Sequence, residues 1–387
     1  MTSKFILIAV CCTIIIFAKT IGRNRNNVQD ENDSRKVLLK SSNFNLKDFY
    51  TNNAALNKKV QDAFEMMDTD QRAAQLIMPA VSTNNFGMNI TEFNKYYLTK
   101  KVGGAIFLKG TTPLFTDYAN QIKTTCYKNK LMPAMISADA EAALMHYKFM
   151  DVAKMVPAEK QKSIEDVIIS SNAIIDILKK VGIQINFAPS ADNNTNRAII
   201  SNRSFGSNTL DIVQKCTAFM NEHLQNNIAS TIKHFPGHGN VKGDTHKGSV
   251  FIDGELKELS AFQQLIAKQA IGVMVAHITI RNNKTWSSDN LPATLSKKIV
   301  TQLLKDSLAF KGVIYTDALN MGAVSKIPNA SFKALCAGCD VALMPMDINT
   351  LHTQIKKELQ TTSEYKTQFE GSIKKVIRMK ICLGLVK

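Results

Sequence analysis

Ala229-Ser230-Thr231-Ile232-Lys233-His234-Phe235-Pro236-Gly237-His238-Gly239 is the stretch on which the fold turns. Its small, β-branched and apolar opening reads as a buried strand that Lys233 and His234 close and Pro236 cuts off. Gly237, Gly239 and Gly243 allow backbone angles that other residues resist. The ten positions after Pro236 are therefore expected to form a mobile excursion, with Asp244-Thr245-His246 at its far end.

Similar apolar runs recur on both sides of this one. They are Gln75 to Val81, Gly104 to Leu108, Pro133 to Ala138, Gln184 to Ala188, Ala229 to Lys233, Gly272 to Ala276, Gly312 to Thr316 and Asp340 to Met344. Between them, Lys162 to Lys180, Thr209 to Asn226, Glu255 to Ala270 and Ser296 to Ala309 carry apolar residues at three and four spacing. Phe332 to Ala337 supplies a short late helix, and Glu370 to Leu385 a closing one with Ile373, Val376, Ile377 and Ile381 turned inward. Eight buried strands alternating with helices predict an α/β fold, a closed (β/α)8 TIM barrel forming a single catalytic domain.

The 387 residues suit one such domain. The net charge of +16 and pI near 9.4 are those of a nucleic-acid or acidic-polymer binder, but the basic residues are scattered, and +6 of the charge lies in the first sixty residues. No basic stripe with interleaved aromatics follows, so no nucleic-acid partner is expected. Phe5 to Ala18, preceded by Lys4, is an apolar run of signal-peptide length, with Lys19, Arg23 and Arg25 just beyond it. Residues 1–18 are thus expected to be a signal peptide or membrane anchor, placing the protein outside the cytoplasm, periplasmic or extracellular, or tethered to a membrane. Residues 19–59, rich in Asn, Asp, Lys and Ser, predict a polar linker or arm, with the folded domain over 60–387. Five cysteines beyond the leader, Cys126, Cys216, Cys336, Cys339 and Cys382, are too few and too odd for a disulfide framework. Cys336-Ala-Gly-Cys339 has redox spacing but sits where a helix stops, and reads as structural.

Polar residues at the ends of barrel strands gather on one rim, where barrel enzymes work. Here that rim holds Asp139 and Glu141, Asp192 and Asn193, Lys233 and His234, His277, and Asp317 in Tyr315-Thr316-Asp317-Ala318-Leu319-Asn320. An aspartate two residues before a histidine accepts from one ring nitrogen and leaves the other to give or take a proton, as Asp244 and His246 are spaced to do. A carboxylate below the mouth and a proton donor on a loop are the two parts of a retaining glycosidase. Solvated loop histidines and a metal site made of His234, His238, Asp244 and His246 are the competing readings. Zinc is disfavoured because no HExxH helix or CxxC pair accompanies these residues and the Pro-Gly turn is expected to splay His234 from His238.

Lys233-His234-Phe235-Pro236-Gly237-His238-Gly239 followed by Asp244-Thr245-His246 resembles the signature of the glycoside hydrolase family 3 β-N-acetylglucosaminidases of the NagZ type. Asn186-Phe187-Ala188-Pro189, Asn202-Arg203-Ser204-Phe205-Gly206, Val275-Ala276-His277 and Thr316 to Met321 are also similar to segments of that family, covering roughly residues 60 to 387. The resemblance implies a TIM barrel and a retaining double displacement that removes N-acetylglucosamine from muropeptides or related amino-sugar glycosides. It implies Asp317 as nucleophile, His246 oriented by Asp244 as acid and base, and Asp139, Arg203, Lys233 and His234 as holders of the sugar hydroxyls. No cofactor and no metal are implied. Where the family carries a sugar-binding arginine eight residues after the aspartate, this chain has Tyr147, with Lys148 next to it. Such a charge-assisted hydrogen bond is worth about 1.5–3 kcal/mol. The segment after the barrel is short, so the acid is expected to come from the loop dyad and not from a sandwich domain such as related β-glucosidases use. Two alternatives stand beside the hydrolase: a β-N-acetylglucosaminide phosphorylase, and a catalytically weak sugar-binding relic.

Overall fold

Each apolar run forms a short strand because its neighbours bury both of its faces. In the computed structural model, which describes residues 44–242 and 250–386, the strands are β1 (Ile77–Met78), β2 (Ala80–Val81), β3 (Gly104–Phe107), β4 (Met135–Ala138), β5 (Ile185–Asn186), β6 (Ala229–Phe235), β7 (Val250–Asp253), β8 (Gly272–Val275), β9 (Ile278–Arg281), β10 (Val313–Thr316) and β11 (Ala342–Leu343). Pro79 separates β1 from β2, so one expected run becomes two pieces. Seven strands form a curled parallel sheet in the order β10-β8-β6-β5-β4-β3-β2. β1 pairs with β11 in parallel, Ile77 opposite Ala342, and a parallel bridge joins Tyr315 of β10 to Val341. All eight expected runs are strands of this α/β fold.

Helices cover the outer face where their apolar spacing predicts. Ile164–Val181 begins with a capping box, Ser163 accepting from Asp166 N while Asp166 accepts from Ser163 N, and ends at Gly182 with φ of 86°. Thr209–Gln225 is capped by Asn208 and packs on it. Lys298–Ser307 is wound as a π-helix, with Ile299, Val300, Leu303 and Leu304 buried. The inward positions of the closing helix Lys366–Cys382, Ile373, Val376, Ile377 and Ile381, are fully buried.

Two parts of the sequence reading need amendment. The folded unit begins at Phe44, not Val60: Leu46, Phe49 and Leu56 are buried, and the helix Ala54–Met66 packs on the closing helix. Arg378 fastens this segment by donating to Phe49 O at 2.5 Å and Asn57 Oδ1 at 2.7 Å. Three apolar anchors and one arginine order a stretch whose polar composition had predicted a loose arm. Second, β7 and β9 form a separate parallel pair, Val250 opposite Ile278, over a small cluster of Val241, Val250, Ile252, Ala276 and Ile278. Cys336 and Cys339 are free thiols, with Cys339 buried, in keeping with the structural reading of that pair. Residues 1–18, the apolar leader, lie outside the described residues.

Candidate active site

Every strand end that carries a chemical group opens on the same side of the sheet. Asp139 and Glu141 follow β4, Asp192 comes after β5, Lys233 and His234 end β6, His277 follows β8, and Asp317 follows β10. Cis peptide bonds occur at Ala188-Pro189, Lys233-His234 and Phe235-Pro236. The register between β6 and β8 shifts between Ile232 and Phe235, which lets Lys233 and His234 both serve the mouth.

One half of the mouth is a buried ion network. Lys233 Nζ reaches Asp139 Oδ1 at 2.8 Å and Glu141 Oε1 at 2.7 Å. Arg203 grips Glu141 with two bonds, Nε to Oε2 at 2.9 Å and Nη2 to Oε1 at 2.7 Å. Burial alone would raise both carboxyls. The cations outweigh it: Lys233 and Lys148 hold Asp139 well below the carboxylate range, and Arg203 and Lys233 bring Glu141 down to about 2. Asn186 sets the spacing between these acids by clamping Ala140, accepting from its N–H at 3.0 Å and donating to its carbonyl at 3.1 Å. Lys148 Nζ lies 3.3 Å from Asp139 Oδ2, while the neighbouring Tyr147 is 60% exposed. A second cation beside Asp139, after Lys233, therefore comes from Lys148, one residue beyond the position where the family resemblance expects an arginine.

The other half is built of imidazoles. His234 donates through Nδ1 to Asp192 Oδ2 at 2.6 Å, and its Nε2 accepts from Arg203 Nη2 at 3.3 Å. Asp192 also takes the backbone N–H of His234 at 3.1 Å and of His238 at 2.7 Å, and the Ser190 hydroxyl at 2.9 Å. The Pro-Gly turn does not splay the two histidines; it brings their rings to 4.9 Å, because Asp192 holds both backbone N–H groups. His277 sits between Thr294 Oγ1 at 2.6 Å and the Ala318 carbonyl at 3.0 Å, fixing the residue after Asp317. Asp317 accepts from Ala318 N at 2.8 Å. Burial raises its carboxyl, but His234, His277 and His238 together bring it below the ordinary value, so it is ionised at neutral pH.

Glu258, which the sequence offers only as a residue at a helix start, proves to be the support of the turn. Its carboxylate accepts from Asn193 N at 2.8 Å, Gly239 N at 3.0 Å and Asn240 N at 3.2 Å, while burial and Asp192 raise it to about 7. Lys242 and Phe251, on either side of 243–249, exchange backbone bonds at 2.9 and 3.3 Å. Asp244 and His246 lie outside the described residues.

Asp192, His234 and His238 stand close enough to be considered as metal ligands. The donor chemistry does not fit one. Asp192 is occupied by N–H and O–H donors, and the free edge of His234 faces the Arg203 guanidinium, whose charge opposes a cation.

The model of the glycosyl hydrolase family 3 N-terminal domain matches residues 68–379. Over 237 residues the chain is 32% identical to beta-hexosaminidase A of Pseudoalteromonas piscicida, which covers 54% of this chain and 40% of that one. Its fold is similar to a glycoside hydrolase family 3 β-N-acetylglucosaminidase from Paenibacillus sp. str. FPU-7, with TM-score 0.72, 24% identity, and 82% and 63% of the two chains covered. It is similar also to the beta-glucoside phosphorylase BglX bound to 2FGlc, with TM-score 0.75, 20% identity, and 86% and 62% covered. At these identities the two structures speak for the fold. The chain spans less than two thirds of the length of each of these three proteins.

Proposed function

The chain belongs to glycosyl hydrolase family 3, and from that premise we propose that it is a retaining β-N-acetylglucosaminidase that removes terminal N-acetylglucosamine from muropeptides or related amino-sugar glycosides. The observation that carries the reading is the ionised Asp317 carboxylate at the end of β10, facing a rim of hydrogen-bonding side chains. Asp317 attacks the anomeric carbon as the bond to the leaving oxygen breaks, and that oxygen takes a proton from His246, oriented by Asp244. His246 then removes a proton from water, which displaces Asp317 and releases the sugar. Asp139, Arg203, Lys233 and His234 bind the sugar hydroxyls, and Lys148 supplies the charge that Tyr147 lacks. The Tyr315–Val341 bridge supports closure of the curled sheet into a complete (β/α)8 barrel carrying a single catalytic domain. Residues 1–18 export or tether the enzyme, so that it meets its substrate outside the cytoplasm.

A chromogenic β-N-acetylglucosaminide tests this directly. The intact chain releases the chromophore and Asp317→Asn does not; release that survives the substitution overturns the nucleophile. Phosphorolysis is the second reading, favoured by the similarity of the fold to a beta-glucoside phosphorylase, since a neutral histidine serving as acid and base does not repel inorganic phosphate as a carboxylate would. A sugar 1-phosphate as main product in phosphate buffer would replace hydrolysis by that reaction.

A further inference from the structure

Among the described residues, two of the three imidazoles near Asp317 are fully engaged. His234 lies between Asp192 and Arg203, and His277 between Thr294 and Ala318. His238 differs: it is 3% exposed, and neither Nδ1 nor Nε2 has a hydrogen-bond partner. Buried polar atoms in native proteins are nearly always paired, so two orphans on one ring at a catalytic mouth call for a ligand.

The ring is held in this condition by its surroundings. The His238 N–H donates to Asp192 at 2.7 Å, and the next residue, Gly239, donates to Glu258 at 3.0 Å. A side chain at Gly237 would meet Glu258 Oε2 at 2.5 Å, and one at Gly239 would collide with Asn193 O. The backbone that carries the ring is thus held on both sides of His238. Burial, followed by His234, lowers the imidazole to about 3, so it is neutral at working pH and offers one N–H donor and one bare acceptor.

We propose that His238 is a sugar-binding residue, taking a hydroxyl of the non-reducing sugar beside Asp317. This rests on the glycosidase reading. A hydroxyl both donates and accepts, so it can bond whichever ring nitrogen faces the sugar, as donor to the bare nitrogen or as acceptor from the N–H. An anion would use only the N–H, and a metal ion would face the Arg203 guanidinium beside His234.

Calorimetric binding of N-acetylglucosamine and its 3-, 4- and 6-deoxy analogues to the full chain, and to His238→Phe and His238→Gln, tests the assignment without requiring turnover. One deoxy analogue is expected to bind the wild type about 3- to 10-fold more weakly than the parent sugar, the range of a single hydrogen bond. In His238→Phe that same difference collapses toward unity, and His238→Gln, which restores a donor and an acceptor, recovers part of it. Deoxy penalties identical in wild type and in the folded variants overturn the proposal. If the variants behave as expected but the chromogenic glycoside is not cleaved, the hydrolase reading falls and the binding role stands. If cleavage proceeds with unchanged penalties, only the role of His238 falls.

Discussion

The two ends of the parallel sheet both bury charge, and they treat it differently. At the end away from the mouth, Asp340 is 1% exposed and its oxygens are claimed by Ile314 N at 2.8 Å, Ser372 Oγ at 2.6 Å and Lys375 Nζ at 2.8 Å. Nearby, Lys380 donates to Gln75 Oε1 and, at 3.0 Å, to Gly103 O. At the mouth, Asp317 has a backbone bond from its own neighbour and His238 has none through its ring. Buried charge alone therefore does not mark a functional site. At this mouth the difference is that Asp317 and His238 are held in place with bonding capacity unspent.

That contrast predicts opposite consequences for two similar substitutions. Asp317→Asn should abolish most turnover, a loss on the order of 10⁴-fold or more in kcat, while leaving the melting temperature near that of the wild type. Asp340→Asn should leave kcat per folded molecule intact but destabilise by about 3 kcal/mol, because Lys375 keeps its buried charge without a counter-ion. Denaturant titration beside kinetics separates the two, and equal patterns would break the comparison.

Lys380 sharpens it through pH. Burial lowers its amine from 10.5 to about 7, so between those values the unfolded chain holds a proton that the folded chain does not. Stability should then rise with pH across that window, by up to roughly 1.4 kcal/mol per pH unit, with the full penalty present below pH 7. In Lys380→Met the rise should vanish. The smallest effect belongs to the mouth's rim: Lys148→Ala should raise KM for an N-acetylglucosaminide about 3- to 10-fold with little change in kcat, whereas Tyr147→Ala, whose ring is exposed, should change it less than twofold.

The strands were legible because burial on both faces demands continuous apolar runs, which survive in Gly272 to Ala276 or Gly312 to Thr316 whatever lies around them. The segment from Phe44 was not, since Leu46, Phe49 and Leu56 are spaced among Asn and Lys and only their docking on Arg378's helix reveals their use. At the site, Asp139, Arg203, Lys233, His234 and Asp317 were found by motif and strand-end position, and the fold brings them together at one mouth. Lys148 lay one residue from the expected place, because local helix geometry over Met145–Lys148, and not sequence register, decides which side chain reaches Asp139. Glu258 was not singled out at all, and His238 entered only in the competing metal reading. A glutamate at a helix start looks like a favourable end charge, and no pattern in a sequence records that a ring lacks partners.

The most direct test of the account is to trap the glycosyl-enzyme. Incubating the intact chain with a slow fluorinated N-acetylglucosaminide, digesting it and locating the added sugar by mass spectrometry should place one covalent sugar on the peptide containing Asp317. A label on another carboxylate, or turnover with inversion at the anomeric carbon, would contradict it.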